Sequence, residues 1–319
     1  NNCYNDNITN EITTVGCNRF KKGLIIMNQD ERRIFLIKEL LKEDKRYKNI
    51  EIPKNPTEQG DLLRALMNVR IPKEISEEFL KVQDEYLQEE ITKKGIVDIN
   101  DLEPIKEVID ISNLESIKGS ADINKLESIK EISDINNVNP IQKGIYLWQG
   151  DITTLRCDAI VNAANSAMTG CYVPNHRCID NAIHSFAGVE LRLECDEIMN
   201  RQGHGEPTGQ AKITNAYNLP CKYIIHTVGP IISYKLTSED CELLASCYRS
   251  CLNLAAKNNL ESIAFCCIST GEFHFPNDKA AQIAIKTVEE FMKKDTSVKK
   301  VIFNVFKDMD KEIYRELLK

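Results

Sequence analysis

The second half of the chain alternates short apolar segments with longer amphipathic ones, and this alternation constrains the fold most strongly. Five apolar segments are typical of buried strands, at 145–148, 159–162, 223–228, 262–268 and 301–306. Helical patterns lie between and after them, at 178–199, 238–258, 277–294 and 311–318. Strands that are buried on both faces and separated by helices indicate helix layers on both sides of a sheet. We therefore predict a three-layer α/β/α domain with a mixed central sheet over residues 144–319.

The preceding residues divide into three parts. Residues 1–26 are polar, rich in Asn and without periodicity, so we predict a poorly structured N-terminal extension. Residues 27–96 carry amphipathic helical patterns separated by prolines, which predict a helical N-terminal subdomain packed on the main domain. Residues 97–143 repeat a twelve-residue unit, marked by Asp98, Asp110, Asp122 and Asp134. Its apolar residues recur at every third position, which fits neither one helix face nor a strand, so we interpret it as a surface insertion without a catalytic part.

Charge and composition exclude several classes of function. The net charge of −7 argues against a general nucleic-acid binder, which usually carries a basic surface. No apolar run approaches the ~20 residues of a membrane span, and the first residues do not resemble a secretory signal. The 12 cysteines are scattered through apolar and helical segments, which favours free thiols in a reducing compartment. We therefore expect a cytoplasmic protein that binds neither nucleic acid nor membranes. We also expect a monomer.

Three metal-type ligands, Cys171, His176 and Cys178, lie within eight positions. Thiolate and imidazole groups suit a tetrahedral zinc ion. Structural zinc sites use four protein ligands, whereas catalytic sites leave a position for water or substrate. Because only three ligands are local and Asp180 follows directly, we favour an open Zn²⁺ site. Two alternatives stay open: packing thiols beside a surface histidine, or a structural site completed by a distant cysteine such as Cys195.

Polar segments also follow three of the predicted strands, at 150–152, 162–165 and 269–273. Ligands of open α/β sheets bind at the carboxyl ends of the strands, so we expect these segments to meet. The third segment is a small, glycine-containing loop before a helix, which offers backbone N–H groups to a phosphate. Phe273 and Phe275 could stack on or enclose a ring.

The motifs GDIT, DAIVNAAN, CIDNAIHSFAG, IIHTVGP and ISTGEFHFP together resemble the macrodomain family of ADP-ribose-binding modules and hydrolases. The resemblance covers about residues 144–319. Most macrodomains carry a run of glycines where this chain has GCYVPNHRCIDN, which resembles the zinc-dependent subclass of protein-ADP-ribose hydrolases. The helical segment before the domain also fits that subclass.

The resemblance implies a role for each candidate residue. Asp151 would accept a hydrogen bond from the adenine amino group beside Ile152, and Asn165 would hold the distal ribose. The residues on the diphosphate and distal-ribose side would be Ile179, Asp180 and Asn181. The residues cradling the phosphates and the distal sugar would be Ser269, Thr270, Gly271, Glu272 and Phe273. Cys171, His176 and Cys178 would ligate zinc, and the catalytic candidates are Asp180, which would orient or deprotonate the nucleophile, and Asn165.

These roles predict a zinc-dependent hydrolase that removes mono-ADP-ribose from modified protein side chains. The family's associated proteins imply a lipoyl-carrier (glycine-cleavage H-like) protein as the modified substrate. Two alternatives stay open: a reader module that binds ADP-ribose without turnover, and an O-acetyl-ADP-ribose deacetylase. We expect His184 and His226 to be structural histidines whose hydrogen bonds are satisfied.

Overall fold

The structure is a computed structural model that describes residues 27–109 and 142–319. Residues 1–26 and 110–141 lie outside the described residues, and with them the predicted N-terminal extension and most of the predicted repeat. No helix within the described ranges is both long and apolar enough to cross a membrane.

Three helices open the described part of the chain: α1 (Gln29–Lys42), α2 (Pro56–Val69) and α3 (Glu77–Lys94). Each begins after a capping side chain, from Asn28, Asn55 or Ser76, that accepts a hydrogen bond from a backbone N–H of the first turn. Their apolar stripes pack against one another around Leu36, Ile37, Leu63, Leu66, Phe79 and Val82. The helical patterns predicted from the sequence are therefore present.

Nine strands lie in the described residues: β1 (Val97–Asp98), β2 (Lys106–Ile109), β3 (Gln142–Gln149), β4 (Leu155–Arg156), β5 (Ala159–Ala164), β6 (Ala211–Asn215), β7 (Tyr223–Val228), β8 (Ser262–Phe265) and β9 (Lys300–Val305). Seven of them form one sheet in the order β2-β3-β9-β8-β5-β7-β6. The five central strands are parallel, and the edge strands β2 and β6 are antiparallel to their neighbours. The predicted mixed sheet is confirmed.

Five further helices cover this sheet: α4 (Ile179–Ala187), α5 (Val189–Gln202), α6 (Ser238–Lys257), α7 (Asn277–Met292) and α8 (Asp308–Leu317). Helices α4 and α5 pack together and against β5 and β6, whereas α6, α7 and α8 pack in succession. The central strands are buried between them and contribute Ile160, Ile224, Ile263 and Ile302 to one large core. This is the predicted three-layer α/β/α arrangement.

Two details differ from the sequence prediction. The helical pattern over 178–199 forms two helices, because Gly188 adopts a φ of 103° that a right-handed helix cannot contain. Strand β2 lies in the predicted insertion, yet it pairs with β3, and Ile99 before it is buried in the main core. Residues 97–109 are therefore part of the packed fold and not an addition to its surface.

Candidate active site

The three predicted polar segments lie along one edge of the sheet, after the carboxyl ends of parallel strands. Asp151 follows β3, Asn165 follows β5, and the loop 269–273 follows β8. These strands belong to the parallel part of the sheet, so their carboxyl ends point to the same edge. Four non-glycine residues with a positive φ lie in the loops along this edge: Met168, Asn175, Ser269 and His274. Such strained backbone is common where loops build a functional site.

Asp151 lies at one end of this edge, in the turn that leads into the helical turn Ile152–Thr154. Its Oδ1 accepts hydrogen bonds from the backbone N–H and the hydroxyl of Thr153, at 3.0 and 2.6 Å. Its Oδ2 lies 2.9 Å from the ammonium group of Lys94, in the last turn of α3. Burial raises the pKa of Asp151, but the hydrogen bonds from Thr153 and Lys94 lower it by a larger amount. The pKa therefore lies below its usual value, and the carboxylate is ionised.

At the other end, the loop of residues 170–178, which we call the Cys/His loop, brings the three predicted zinc ligands together. The ligand atoms of Cys171, His176 and Cys178 all lie within 4.8 Å of one another. The Sγ of Cys171 is 3.6 Å from Nδ1 of His176. Two tetrahedral zinc ligands, one sulfur and one nitrogen, lie about 3.6 Å apart when their bonds have ordinary lengths. The donor set and its spacing therefore fit zinc.

The other ring nitrogen of His176 lies near Glu272. Its Nε2 lies 3.6 Å from Oε1 of Glu272, which is longer than a hydrogen bond. This contact brings the loop 269–273 beside the Cys/His loop. The His176 side chain keeps 31% of its surface exposed, so the ligand cluster opens to solvent.

Cys195, the distant cysteine considered as a fourth ligand, lies elsewhere. It is buried on α5, and its Sγ is 3.9 Å from Nε2 of His226. Together with His184 these two side chains form a second, fully buried Cys/His group. Among the described residues, Cys195 therefore groups with core histidines and not with the Cys/His loop.

Asp180 is buried behind Asn165. Its Oδ1 accepts a hydrogen bond from the Nδ2 of Asn162 at 2.8 Å, and its Oδ2 accepts one from the Nδ2 of Asn165 at 3.3 Å. Only 4% of Asp180 is exposed, and burial raises its pKa to about 6 although both asparagines and Arg192 lower it. The structure thus brings the two predicted catalytic residues, Asp180 and Asn165, into contact. Asp180 is the more deeply buried of the two.

The first turn of α4 carries the other predicted contacts. Cys178 precedes this helix, and its Sγ accepts a hydrogen bond from the backbone N–H of Asn181 at 3.4 Å. The Asn181 side chain is fully buried, and its Nδ2 donates to the carbonyl oxygen of Val173 in the Cys/His loop. The side chain of Asn181 thus supports the loop, whereas Ile179 is half-buried and packs against the main core.

The loop 269–273 is held by backbone hydrogen bonds. Ser269 has a φ of 65°, and its carbonyl oxygen accepts from the N–H of Phe275. Its hydroxyl is buried without a hydrogen-bond partner among the described residues. Thr270 donates its hydroxyl to the carbonyl oxygen of Cys267. Phe273 is half-buried and Gly271 is exposed, but Phe275 is 1% exposed in the main core, so of the two predicted stacking rings only Phe273 has free surface.

His184 and His226, for which we expected satisfied hydrogen bonds, differ in their hydrogen bonding. His226 has both nitrogens engaged, with Asn162 at 3.1 Å and Thr214 at 2.9 Å, as expected. His184 is buried and neither ring nitrogen has a hydrogen-bond partner in the described residues, so the expectation for His184 is wrong. Its Nε2 lies 3.6 Å from Oδ1 of Asp180, and burial lowers its pKa well below the usual value.

Four residues in or beside this site were not assigned from the sequence. Asn162 lies in the predicted polar segment 162–165 but was given no role of its own, although it is a polar side chain inside the apolar strand AIVNAA. Arg64, Asn68 and Lys94 carry no local signal, because their partners lie between 57 and 117 positions away in the chain.

Residues 161–284 match the macro domain family. A "Protein-ADP-ribose hydrolase" of Treponema medium is 53% identical over 292 residues, which are 92% of this chain and 100% of that protein. The chain belongs to the macrodomain family. The "Protein-ADP-ribose hydrolase" of Staphylococcus aureus strain MRSA252 is 44% identical over 88% of this chain and 93% of its own length.

Solved macrodomain structures share the fold. The Trypanosoma brucei macrodomain in complex with ADP-ribose has a TM-score of 0.54 and 26% identity, covering 84% of this chain and 97% of that one. The Oceanobacillus iheyensis macrodomain with ADP has a TM-score of 0.51 and 39% identity, over 55% of this chain and 90% of its own. The macrodomain fold expected from the sequence motifs is thus confirmed.

Proposed function

We propose that this protein is a zinc-dependent hydrolase that releases ADP-ribose from mono-ADP-ribosylated protein side chains. The observation that carries the zinc part is the cluster of Cys171, His176 and Cys178, whose ligand atoms lie within 4.8 Å of one another. The relatives at 53% and 44% identity, both named protein-ADP-ribose hydrolases, support the hydrolase part.

In this proposal the adenine end of the ligand lies at Asp151 and the reacting end at the Cys/His loop. The ionised Asp151 carboxylate accepts a hydrogen bond from the adenine amino group, beside the buried Ile152. The loop 269–273 surrounds the phosphates between the two ends. That loop would offer its backbone N–H groups to a phosphate.

Zinc bound by the three ligands would act as a Lewis acid that polarises a water molecule or an oxygen of the distal ribose. Asn165 holds the distal ribose from the end of β5. Asp180 helps to fix the amide of Asn165, whose Nδ2 donates to Asp180 at 3.3 Å and to the carbonyl oxygen of Gly170 at 3.1 Å. Because Asp180 is only 4% exposed, this geometry favours the orienting role over direct proton abstraction from the nucleophile.

The finer parts of the proposal concern the substrate and its location. We propose a lipoyl-carrier (glycine-cleavage H-like) protein as the modified substrate and a monomeric, cytoplasmic enzyme. The ten cysteines in the described residues are free, which suits a reducing compartment. Comparing release of ADP-ribose from a modified lipoyl-carrier protein with release from an unrelated modified protein tests the substrate.

The decisive experiment measures ADP-ribose release from a mono-ADP-ribosylated protein, with and without a chelator. We expect release that the chelator abolishes and that added Zn²⁺ restores. Release that persists after removal of the metal would contradict the zinc part. Binding of ADP-ribose without release would indicate a reader module, and turnover of O-acetyl-ADP-ribose alone would indicate a deacetylase.

A further inference from the structure

We infer that Arg64 and Asn68, on helix α2, are positioning residues that hold the Cys/His loop in the geometry needed for zinc. The inference rests on the proposed zinc site. It makes α2 a functional part of that site, although Arg64 lies about 80 residues before the segment that resembles a macrodomain. The two residues are four positions apart, so they lie on the same face of the helix.

The guanidinium group of Arg64 bridges two parts of the site. Its Nη2 donates to the backbone carbonyl oxygen of His176 at 3.0 Å. The same nitrogen donates to Oδ1 of Asn181 at 2.8 Å, and Nε approaches that oxygen at 3.3 Å. Arg64 therefore fixes the backbone of one predicted zinc ligand relative to the first turn of α4, in which Asn181 lies three residues after Cys178.

Asn68 fixes the same loop from the next turn of α2. Its Oδ1 accepts a hydrogen bond from the backbone N–H of Asn175 at 3.0 Å, and its Nδ2 donates to the hydroxyl of Ser185 at 2.9 Å. Asn175 has a φ of 54°, in the left-handed region that asparagine adopts more readily than most residues with a side chain, and the hydrogen bond to Asn68 holds its backbone there. Asn68 is 1% exposed, so water cannot easily replace it.

The Cys/His loop depends on such support because it contains neither helix nor strand. Its backbone receives side-chain hydrogen bonds from Asn165 at Gly170 and from Asn181 at Val173. The contacts at residues 175 and 176, from Asn68 and Arg64, both come from α2. Without the hydrogen bonds from Arg64 and Asn68, the backbone around His176, between the two cysteines, would lose its support from α2.

Helix α2 is itself fastened to the main domain beside the loop. The Nη1 of Arg192, on α5, donates to the carbonyl oxygens of Met67 and Asn68 at 3.1 and 2.9 Å and also to that of Arg70. The ring of Tyr172, next to Cys171, lies over the same guanidinium group at 4.4 Å. The position of α2 relative to the loop is therefore well determined.

The test measures zinc affinity by competition with a chromophoric chelator, using the full chain. We expect Arg64→Met and Asn68→Ala each to weaken zinc binding by about tenfold or more, since loss of groups that orient metal ligands has effects of that size. The matched control is Arg32→Met. Arg32 lies on α1 and pairs with Glu85 and Glu89 of α3, at 3.1 and 2.8 Å, away from the loop. The zinc affinity of the Arg32→Met variant should stay within about twofold of that of the parent protein.

A second measurement needs no metal and separates this inference from the zinc proposal. Amide hydrogen exchange in the metal-free protein should be about tenfold faster across residues 170–178 in both test variants and unchanged in Arg32→Met. If the parent binds zinc and both test variants bind it equally well, the inference is wrong. If the parent protein binds no zinc, the zinc part of the proposed function is wrong. Unchanged hydrogen exchange in both test variants would then contradict the positioning role as well.

Discussion

The ammonium group of Lys94 lies 2.9 Å from Oδ2 of Asp151 and 3.3 Å from the centre of the Phe186 ring. Lys94 ends α3, Asp151 follows the first long strand of the sheet, and Phe186 lies on α4. The N-terminal helices thus reach the adenine end of the proposed site through Lys94, and its metal end through Arg64.

This relationship predicts unequal effects on ADP-ribose affinity. Asp151→Ala should weaken binding roughly tenfold to a hundredfold, because a hydrogen bond to a charged group contributes about 1.5–3 kcal/mol. Lys94→Met should weaken it less than about fivefold, since a half-exposed ion pair contributes about 1 kcal/mol or less. Calorimetric titration with ADP-ribose measures both. Equal losses in the two variants would show that Lys94 itself contacts the ligand.

Asp180 and Asp151 should differ in the kinetic constant that they affect. Removing the adenine contact weakens the ground state and the transition state alike, so Asp151→Ala should chiefly raise KM. Asp180→Ala removes one hydrogen-bond partner of Asn165 at the reacting end, so kcat should fall at least about tenfold while ADP-ribose still binds. Asp180→Asn, which keeps the shape, serves as the second variant in case the alanine variant does not fold. Similar kinetic profiles for the two positions would contradict the division into a binding end and a reacting end.

The purified protein should hold about one zinc ion per chain. Cys178→Ala should lose both the metal and the hydrolase activity but should still fold, because the large core does not depend on the loop. The melting temperature of this variant should fall slightly, because the substitution removes the Sγ that accepts a hydrogen bond at the start of α4. Cys241→Ala, on α6 and half-buried, is the matched control and should keep its zinc. Metal analysis that finds no zinc in active parent protein would contradict the prediction.

Two deletions should have different effects on stability. Removing residues 100–136 takes away β2, which pairs with β3 from Ile109↔Gln142 to Lys106↔Ile145. Its loss should therefore lower the denaturant midpoint. Removing only residues 112–136 keeps this pairing and leaves a short connection between adjacent antiparallel ends, so the midpoint should change little. ADP-ribose binding should survive the shorter deletion; a loss of folding there would show that the repeat itself contributes to the core.

Much of the fold and of the candidate site could be predicted because the signals are local. The alternation of buried strands and helices predicted the layered sheet, and prolines separated the helical patterns of the N-terminal subdomain. The Cys171, His176 and Cys178 ligands lie so close in the chain that one loop brings them together. The burial of Asp180 was not predicted, because the same motif is compatible with a carboxylate facing the ligand or facing Asn162.

The amino-acid sequence alone determined the class of fold, the edge of the sheet where the site lies and the ligand types of the proposed metal. Only the tertiary structure decided that α2 and α3 reach this site, that β2 extends the sheet and that His184 is buried without a hydrogen-bond partner in the described residues. The physical reason is range: periodicity and motif spacing act over a few residues. The contact of Arg64 with Asn181 instead spans 117 positions and exists only after the helices have packed.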